Sequence, residues 1–564
     1  MTILDAISPG LVLILGAFAL PAARGGVRRA LILGLPLVTL GLVWLVPDGP
    51  VLTVGFLDYT LTPIEGTTLG RLFATIFALM AFAGGLYAMA QARVVELSAA
   101  FIYAGSAIGV AFAGDLITLF VFWEVMAIGS TLVIWSTGTN SAYRASLRYA
   151  MIHLLGGVVL MVGIIAQVAE TGSVDFAAMQ ADSFARWLIL IGFLVNAGAP
   201  PLSAWIPDTY PETSPSGAVF LSAFTTKTAV YVLLVGFPGA EILLWIGLYM
   251  VFYGILYALL ENDIRRILAY SIVNQVGFMV VGIGIGTPMA LNGAAAHAFV
   301  HIIYKALLLM SAGAVVHQTG KRKCTDLGGL FQSMPMTTLC GIIGALAISG
   351  FPLTSGFISK SMVSQAAGDE YFAFIWFMLV AASAGVFLHA GIKFPWFVFF
   401  QTDSGLRPPD PPWNMRWAMY LFAFLSIALG VYPAPLYALL PYPVDYVPYT
   451  VGHVVFQFQL LLFSGLAFFV MLPQMRRTLT ISLDIDWFYR RAGLRLALGI
   501  GAIIGRADHA MRRAALDGLD DVITAVRHYC GPQGALARSL STGAATLWVA
   551  VLLGISLVIY YARG

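Results

Sequence analysis

About sixteen apolar stretches, each close to the length a helix needs to cross a bilayer, recur along this chain: 7–22, 29–46, 69–91, 98–114, 115–136, 148–169, 185–203, 216–236, 241–261, 264–286, 291–317, 336–364, 372–400, 416–433, 453–472 and 541–562. A chain of 564 residues with 60% hydrophobic and only 10% charged residues cannot dissolve its surface in water, since soluble domains carry about 25% charged residues. The mean hydropathy of +0.88 agrees. The expected fold class is therefore an all-α polytopic membrane protein, whose length counts helices rather than domains.

The formal charge of +3 says little by itself, but the placement of charge says more. Loops after odd-numbered stretches carry Arg24, Arg28 and Arg29; Arg93; Arg144 and Arg148; Arg265 and Arg266; Lys321, Arg322 and Lys323; Arg407 and Arg416; Arg476 and Arg477. Loops after even-numbered stretches carry Asp48, Asp58 and Glu65; Glu170, Asp175 and Asp182; Glu241; Asp369 and Glu370; Asp445. One helix too many or too few would scramble this alternation. The positive-inside rule makes the basic loops cytoplasmic and places both termini outside, in a multi-pass protein of the cell inner membrane. The first apolar run, Ile7 to Leu20, lacks a basic leader, so no cleavable signal is expected.

Three cysteines, Cys324, Cys340 and Cys530, are too scattered for a metal site or a disulfide framework. No nucleotide-binding glycine loop, CxxC pair, or quinone or flavin motif is visible, so neither cofactor nor metal is expected, and redox chemistry on this chain alone is not. Nothing points to nucleic acid.

Buried charge is where function shows. Leu291–Gln318 is apolar enough to span, yet it carries His297, His301 and Lys305, each four residues after the last, stacked on one helical face. A charge near the bilayer centre costs roughly 2.5–3.5 kcal/mol on insertion scales, so such groups mark proton or ion paths. Other spans hold Glu124, Lys227, Lys360, and His389 with Lys393. An opposite charge nearby and desolvation shift a carboxyl or amine in opposing directions, so a Glu–Lys pair that forms and breaks switches between charged and neutral states. Lys393 and His389 lie near a span end, where snorkelling to the interface competes with a relay role. His153, alone among apolar residues, reads as a structural hydrogen-bonding group.

Two spans are interrupted alike, at Ala197–Trp205 (AGAPPLSAW) and Ser349–Phe357 (SGFPLTSGF). Proline removes a backbone donor and frees carbonyls that protein or water must satisfy. Matching interruptions in two halves point to an inverted-repeat transporter with sites near the midplane. Between Leu483 and Arg538 the texture changes to charged and apolar residues mixed at helical spacing, too polar to span and suited to an interfacial amphipathic helix.

These residues resemble a family. DLITLFVFWEVMAIGS (Asp115–Ser130), WIPD (Trp205–Asp208), TTKTAVY (Thr225–Tyr231), ENDIRRILAYSIVNQVG (Glu261–Gly277), HAFVHIIYKALLLMSAG (His297–Gly313), TDLGGL (Thr325–Leu330) and PLTSGFISK (Pro352–Lys360) are similar to the antiporter-like membrane subunits of respiratory complex I and of Mrp-type cation/proton antiporters, most of all the D-type Mrp subunits. The resemblance implies fourteen core helices with two inverted five-helix repeats and broken helices seven and twelve. It implies a proton relay of Glu124, Lys227, His297, His301, Lys305 and Lys360; Asn196, His389 and Lys393 are additional candidates read from this sequence rather than from the resemblance. Asn196 stands where the family usually has the lysine that pairs with the glutamate. Either Lys227 reaches Glu124, or the input half works differently, or part of the pumping function is lost.

The organisation expected is N-terminal helices over 1–97, a first repeat over 98–236, a second over 237–400, accessory helices over 401–475, an amphipathic lateral helix over 476–540 and an anchor helix over 541–564. The expected partners are other membrane subunits of a hetero-oligomeric complex, lipid, protons and, as exchanged cation, sodium. Alternatives are a membrane subunit coupled to a partner for inorganic carbon uptake and a non-conducting scaffold.

Overall fold

The computed structural model describes residues 7–474, 483–536 and 538–563, so Arg476 and Arg477 lie outside the described residues. The chain divides into two compact units, Met1–Asp486 and Trp487–Gly564. Among the described residues thirteen helices are long and apolar enough to cross a membrane, and the chain is a multi-pass membrane protein. The other three expected spans correspond to shorter apolar helices, Pro9–Ala19, Phe184–Ala197 and Pro335–Ile348.

The last two are short because their spans are broken where the prolines fall. Phe184–Ala197 ends at Gly198 (φ 79°) and Pro335–Ile348 runs out at Ser349 and Gly350 (φ 69°). The left-handed conformation, cheap only for glycine, turns the chain out of each helix. Helix resumes at Trp205–Thr209 in the first case and Ser355–Asp369 in the second. A third break, between Pro215–Leu221 and Thr225–Gly236, has no proline and was not expected.

The two halves of the first unit share a plan. Thr139 caps a helix of 32 residues, Asn140–Thr171, which ends in left-handed Gly172; Thr287 caps another of 32 residues, Pro288–Thr319, which ends in left-handed Gly320. Each is preceded by a helix with an aspartate cap. Asp115 accepts from the Thr118 amide at 2.7 Å, and Asp263 from the Arg265 amide at 2.9 Å. These aspartates satisfy backbone donors that a helix start leaves open. Both also bridge across to the chain beyond the long helix, at Asp175 and at Lys323.

Ile264–Ile285 and Pro288–Thr319 lie at the centre of the unit, with 100% and 94% of their spanning windows buried. Charges on them are therefore shielded from lipid. Two features departed from expectation. Gly49–Phe56 and Tyr59–Gly66 form an antiparallel hairpin in which Phe56 pairs with Tyr59, tied down where the Thr62 amide donates to Asp115 at 2.8 Å. Within 373–400, helix gives way to wider π-type turns at Phe387–Lys393 and Trp396–Phe400. Such turns cluster at functional sites.

In the second unit, Leu494–Cys530 is one continuous helix of 37 residues, and Thr542–Ala562 is an apolar helix. Among the described residues, the amphipathic pattern that begins at Leu483 falls largely on the helix Leu494–Cys530; residues 476–482 and 537 of the expected segment lie outside them.

Candidate functional site

The central helix Pro288–Thr319 presents His297, His301 and Lys305 to the protein interior, all fully buried. Each meets a different environment. His297 bridges two helices, with Nδ1 at 2.9 Å from Ser359 Oγ and Nε2 at 3.1 Å from Gln275 Oε1. The Tyr304 hydroxyl donates to the same Gln275 oxygen at 3.1 Å. Lys305 Nζ donates to Ser271 Oγ at 2.8 Å. His301 stands between them with neither ring nitrogen bonded, its ring edge-on to Tyr304 at 5.2 Å. A buried imidazole without partners leaves both nitrogens open to water or a moving proton.

Lys360 lies at the second break. Its Nζ donates to Ile348 O at 2.6 Å, one of the carbonyls left open where Pro335–Ile348 ends, and sits 5.2 Å from the centre of the Phe278 ring. The ammonium suits the negative end of a helix. Ser359, beside it in sequence, is the residue bonded to His297, so the row on the central helix connects directly to the turn that carries Lys360. Lys227, also fully buried, follows the unforeseen break and donates to Ser222 O at 2.6 Å and to Thr226 Oγ1 at 3.1 Å. His301 lies within electrostatic reach of Lys227, Lys305 and Lys360 together. The structure thus brings together Lys227, His297, His301, Lys305 and Lys360.

Glu124 stands apart. One carboxylate oxygen is buried without a hydrogen bond and packs against Gly157, where an added Cβ would come within 2.0 Å of it. Asn196 is buried with neither side-chain atom bonded. Among the described residues Glu124 forms no ion pair, and Lys227 directs two of its three N–H groups to Ser222 and Thr226 rather than to Glu124. Of the three alternatives drawn from the sequence, the one in which Lys227 reaches Glu124 is not realised in this structure. His153 donates from Nδ1 to Tyr149 O at 2.9 Å, stacks on the Tyr149 ring and meets the Trp205 ring edge-on.

Lys393 does not snorkel. It is buried and donates to the carbonyls of Ala258, Leu259 and Glu261 at 3.1, 2.5 and 2.6 Å, closing the C-terminal end of Ile242–Leu260. The π-type turns carry it inward, which a regular helical projection does not anticipate. His389 bonds Gly385 O through Nδ1 at 2.9 Å and leaves Nε2 unbonded, within electrostatic reach of Lys305, Lys360 and Lys393.

The two halves are tied at their arginine-rich end. Buried Arg265 donates to the carbonyls of Tyr210, Thr213 and Ser214 at 3.1, 2.7 and 2.9 Å. Arg322 donates to Glu212 at 2.9 Å and pairs with Asp263 at 2.6 Å. Burial pushes the Glu212 carboxyl up, but hydrogen bonding and charge from Arg322, with a bond from Ser141, outweigh it and hold the group below its ordinary 4.5.

Ser271, Gln275, Tyr304 and Ser359, which connect the basic groups, were not singled out in the sequence. For Ser271 and Gln275 the signal lay in their four-residue spacing within LAYSIVNQVG; Tyr304 and Ser359 sit beside Lys305 and Lys360 in their own segments.

The family model described as NADH:quinone oxidoreductase/Mrp antiporter, TM, matches residues 113–387. The match takes in just under half of the chain. Among curated proteins, the chain is 31% identical over 389 residues to a probable K(+)/H(+) antiporter A/B-type subunit of Rhizobium meliloti, covering 64% of this chain and 39% of that protein. It is 34% identical over 274 residues to the D-type subunit of the Na(+)/H(+) antiporter of Alkalihalophilus pseudofirmus, covering 45% and 55%. The alignments thus span about half or less of these two relatives. A chain of the Mrp complex from Dietzia sp. superimposes with a TM-score of 0.69 at 21% identity, over 78% of this chain and 97% of that one. A chain of an archaeal membrane-bound sulfane sulfur reductase superimposes with a TM-score of 0.68 at 24% identity, over 77% and 95%. At these identities the superpositions establish the shared fold.

Proposed function

We propose that the chain is the proton-translocating membrane subunit of a multi-subunit, Mrp-type monovalent cation/proton antiporter or a related complex I-like assembly. It lies in the cell inner membrane with both termini on the non-cytoplasmic side. Protons enter near Glu124, pass through Lys227, His301 and Lys305, with His297 alongside, and leave by Lys360. Asn196, His389 and Lys393 border this route.

The observation that carries the proposal is the continuity of the second half: Lys305 on Ser271, His297 on both Gln275 and Ser359, and Lys360 on Ile348, with an unbonded His301 between. Buried polar groups normally find partners. Basic groups lined up with serine, glutamine and tyrosine hydroxyl and amide groups between them provide acceptors and donors along which waters can pass a proton. The driving energy comes from the other subunits, through cation exchange or a redox partner, because this chain offers no redox motif.

The test is transport by the complete complex in sealed vesicles, followed with a pH-sensitive dye while the monovalent cation is varied. Lys305→Ala and Lys360→Ala abolish cation-driven proton movement while the complex still assembles. Wild-type rates in both variants remove the proposal. A non-conducting scaffold is the competing reading, supported by the unpaired Glu124 and by the uncharged Asn196 where the resemblance would place a lysine; it predicts no proton movement through the chain in wild-type vesicles.

A further inference from the structure

Helix Val451–Val470 lies beyond residue 387, where the family match ends, yet it completes the surroundings of Lys360. Its first turns carry His453 and Gln457, four residues apart and so on one face. Gln457 Nε2 donates to Ser349 O at 3.3 Å, another carbonyl opened by the second break. His453 packs its ring on Phe357 at 4.8 Å. Phe357 precedes Lys360 by three residues on the same helix, so the imidazole and the ammonium lie along one helical face.

Lys360, His453 and Gln457 line one cavity of about 290 Å³. Gln365, Thr450 and His453 also line a second, larger cavity of about 660 Å³, whose wall includes Asp369, Glu370 and Asp445. His453 thus belongs to both spaces, with Lys360 in the inner one and three carboxylates in the outer one. Its tautomer follows from its bonds. Nδ1 lies 2.9 Å from Pro448 O and 3.2 Å from the Tyr446 hydroxyl. A carbonyl can only accept, so Nδ1 carries the hydrogen and Nε2 carries the lone pair.

We infer that His453 receives the proton that Lys360 releases and passes it to the carboxylate-lined outer cavity, so that this accessory helix forms part of the exit path. This rests on the proposed proton-translocating role. The Lys360 ammonium gives one proton to a cavity water as His453 Nε2 takes one, leaving a neutral amine and an imidazolium. The imidazolium then returns its Nε2 proton to water in the outer cavity, and Lys360 is reloaded from the central row. No net charge is created, and each step exchanges one proton between oxygen and nitrogen. Gln457, by holding Ser349 O, fixes the broken turn against which Lys360 is placed.

The experiment uses the complete complex in sealed vesicles, with His453→Gln, His453→Ala and Lys360→Ala assayed side by side. Glutamine keeps a hydrogen-bonding side chain but cannot carry the proton, so His453→Gln lowers transport roughly 100-fold, the range for removal of a proton-transfer group. Free imidazole, small enough to enter the inner cavity, restores transport in the assembled His453→Ala complex and leaves Lys360→Ala inactive. Wild-type rates in His453→Gln, or no rescue of an assembled His453→Ala complex, overturn the inference while an inactive Lys360→Ala keeps the proposed function standing. Wild-type transport in Lys360→Ala overturns both.

Discussion

Thr139 and Thr287 start helices of equal length, and Gly172 and Gly320 end them. Aligned by these caps, Tyr149, His153 and Gly157 of the first helix fall where His297, His301 and Lys305 stand in the second. Both helices run beside a partner started by an aspartate. In the first half the ionisable group is Glu124, on the partner, and it occupies the space beside Gly157. In the second half it is Lys305, on the long helix, and its partner offers Ser271. The breaks differ in the same sense. The carbonyl of Val195, near the first, is met by the neutral indole of Trp205 at 3.0 Å, while Ile348 O at the second is met by Lys360. At the long helix and its partner, one backbone plan thus places an acid, Glu124, in the first half and a base, Lys305, in the second. Side-chain choice at a few matched positions decides which half holds a continuous row of basic groups.

Making the second half resemble the first is the strongest way to break this comparison. Lys305→Gly abolishes proton movement in vesicles, as Lys305→Ala does, whereas Glu124→Gln lowers it about tenfold, a barrier change of ~1.4 kcal/mol. Equal losses from the two would show that the halves contribute alike. Asn196→Lys sharpens the contrast from the other side by giving Glu124 a countercharge. It raises transport in the parent and leaves the Glu124→Gln background unchanged, with a coupling of roughly 0.5–3 kcal/mol in a double-mutant cycle.

Arg265 binds the halves together, so Arg265→Met strands the carbonyls of Tyr210, Thr213 and Ser214. A stranded buried acceptor costs roughly 1–3 kcal/mol, read as a lower Tm of the complex in detergent. The Arg322–Glu212 pair at the same junction responds to acid. Because the Glu212 carboxyl is held below its ordinary 4.5, its contribution is complete above that value and is lost as pH falls through the lower folded value. Proteolysis of the 205–215 loop therefore accelerates on acidification below about 4.5, and Glu212→Gln removes that dependence. The smallest effect belongs to His153→Phe, which keeps the stack on Tyr149 and Trp205; transport stays within about twofold of the parent, as for substitutions away from the proton path.

Much of the fold was legible. Apolar length exposes the spans, and proline two residues after glycine in AGAPPLSAW and SGFPLTSGF exposes two breaks, because both residues act locally on the backbone. The third break, at Ser222 to Phe224, carries no such residue and was missed. The hairpin at 49–66 was hidden among charged loop residues, and its anchor on Asp115 is a tertiary contact. Of the candidate relay, the basic groups stood out by their rarity in apolar surroundings. His453 did not, since a histidine at the start of a span resembles an interfacial residue until the packing of Phe357 against it is known.

By itself the sequence determined that this chain crosses a membrane many times, where two of its helices break, and which ionisable groups are too costly to place in lipid without a use. These follow from local backbone chemistry and from the penalty of burying charge. Only the tertiary structure decided which of those groups meet. It left Glu124 without a cation, turned Lys393 inward to close a helix end, and set Ser271, Gln275 and Ser359 between the basic side chains. Hydrogen bonds act over about 3 Å, and residues far apart in the chain come that close only once the helices have packed.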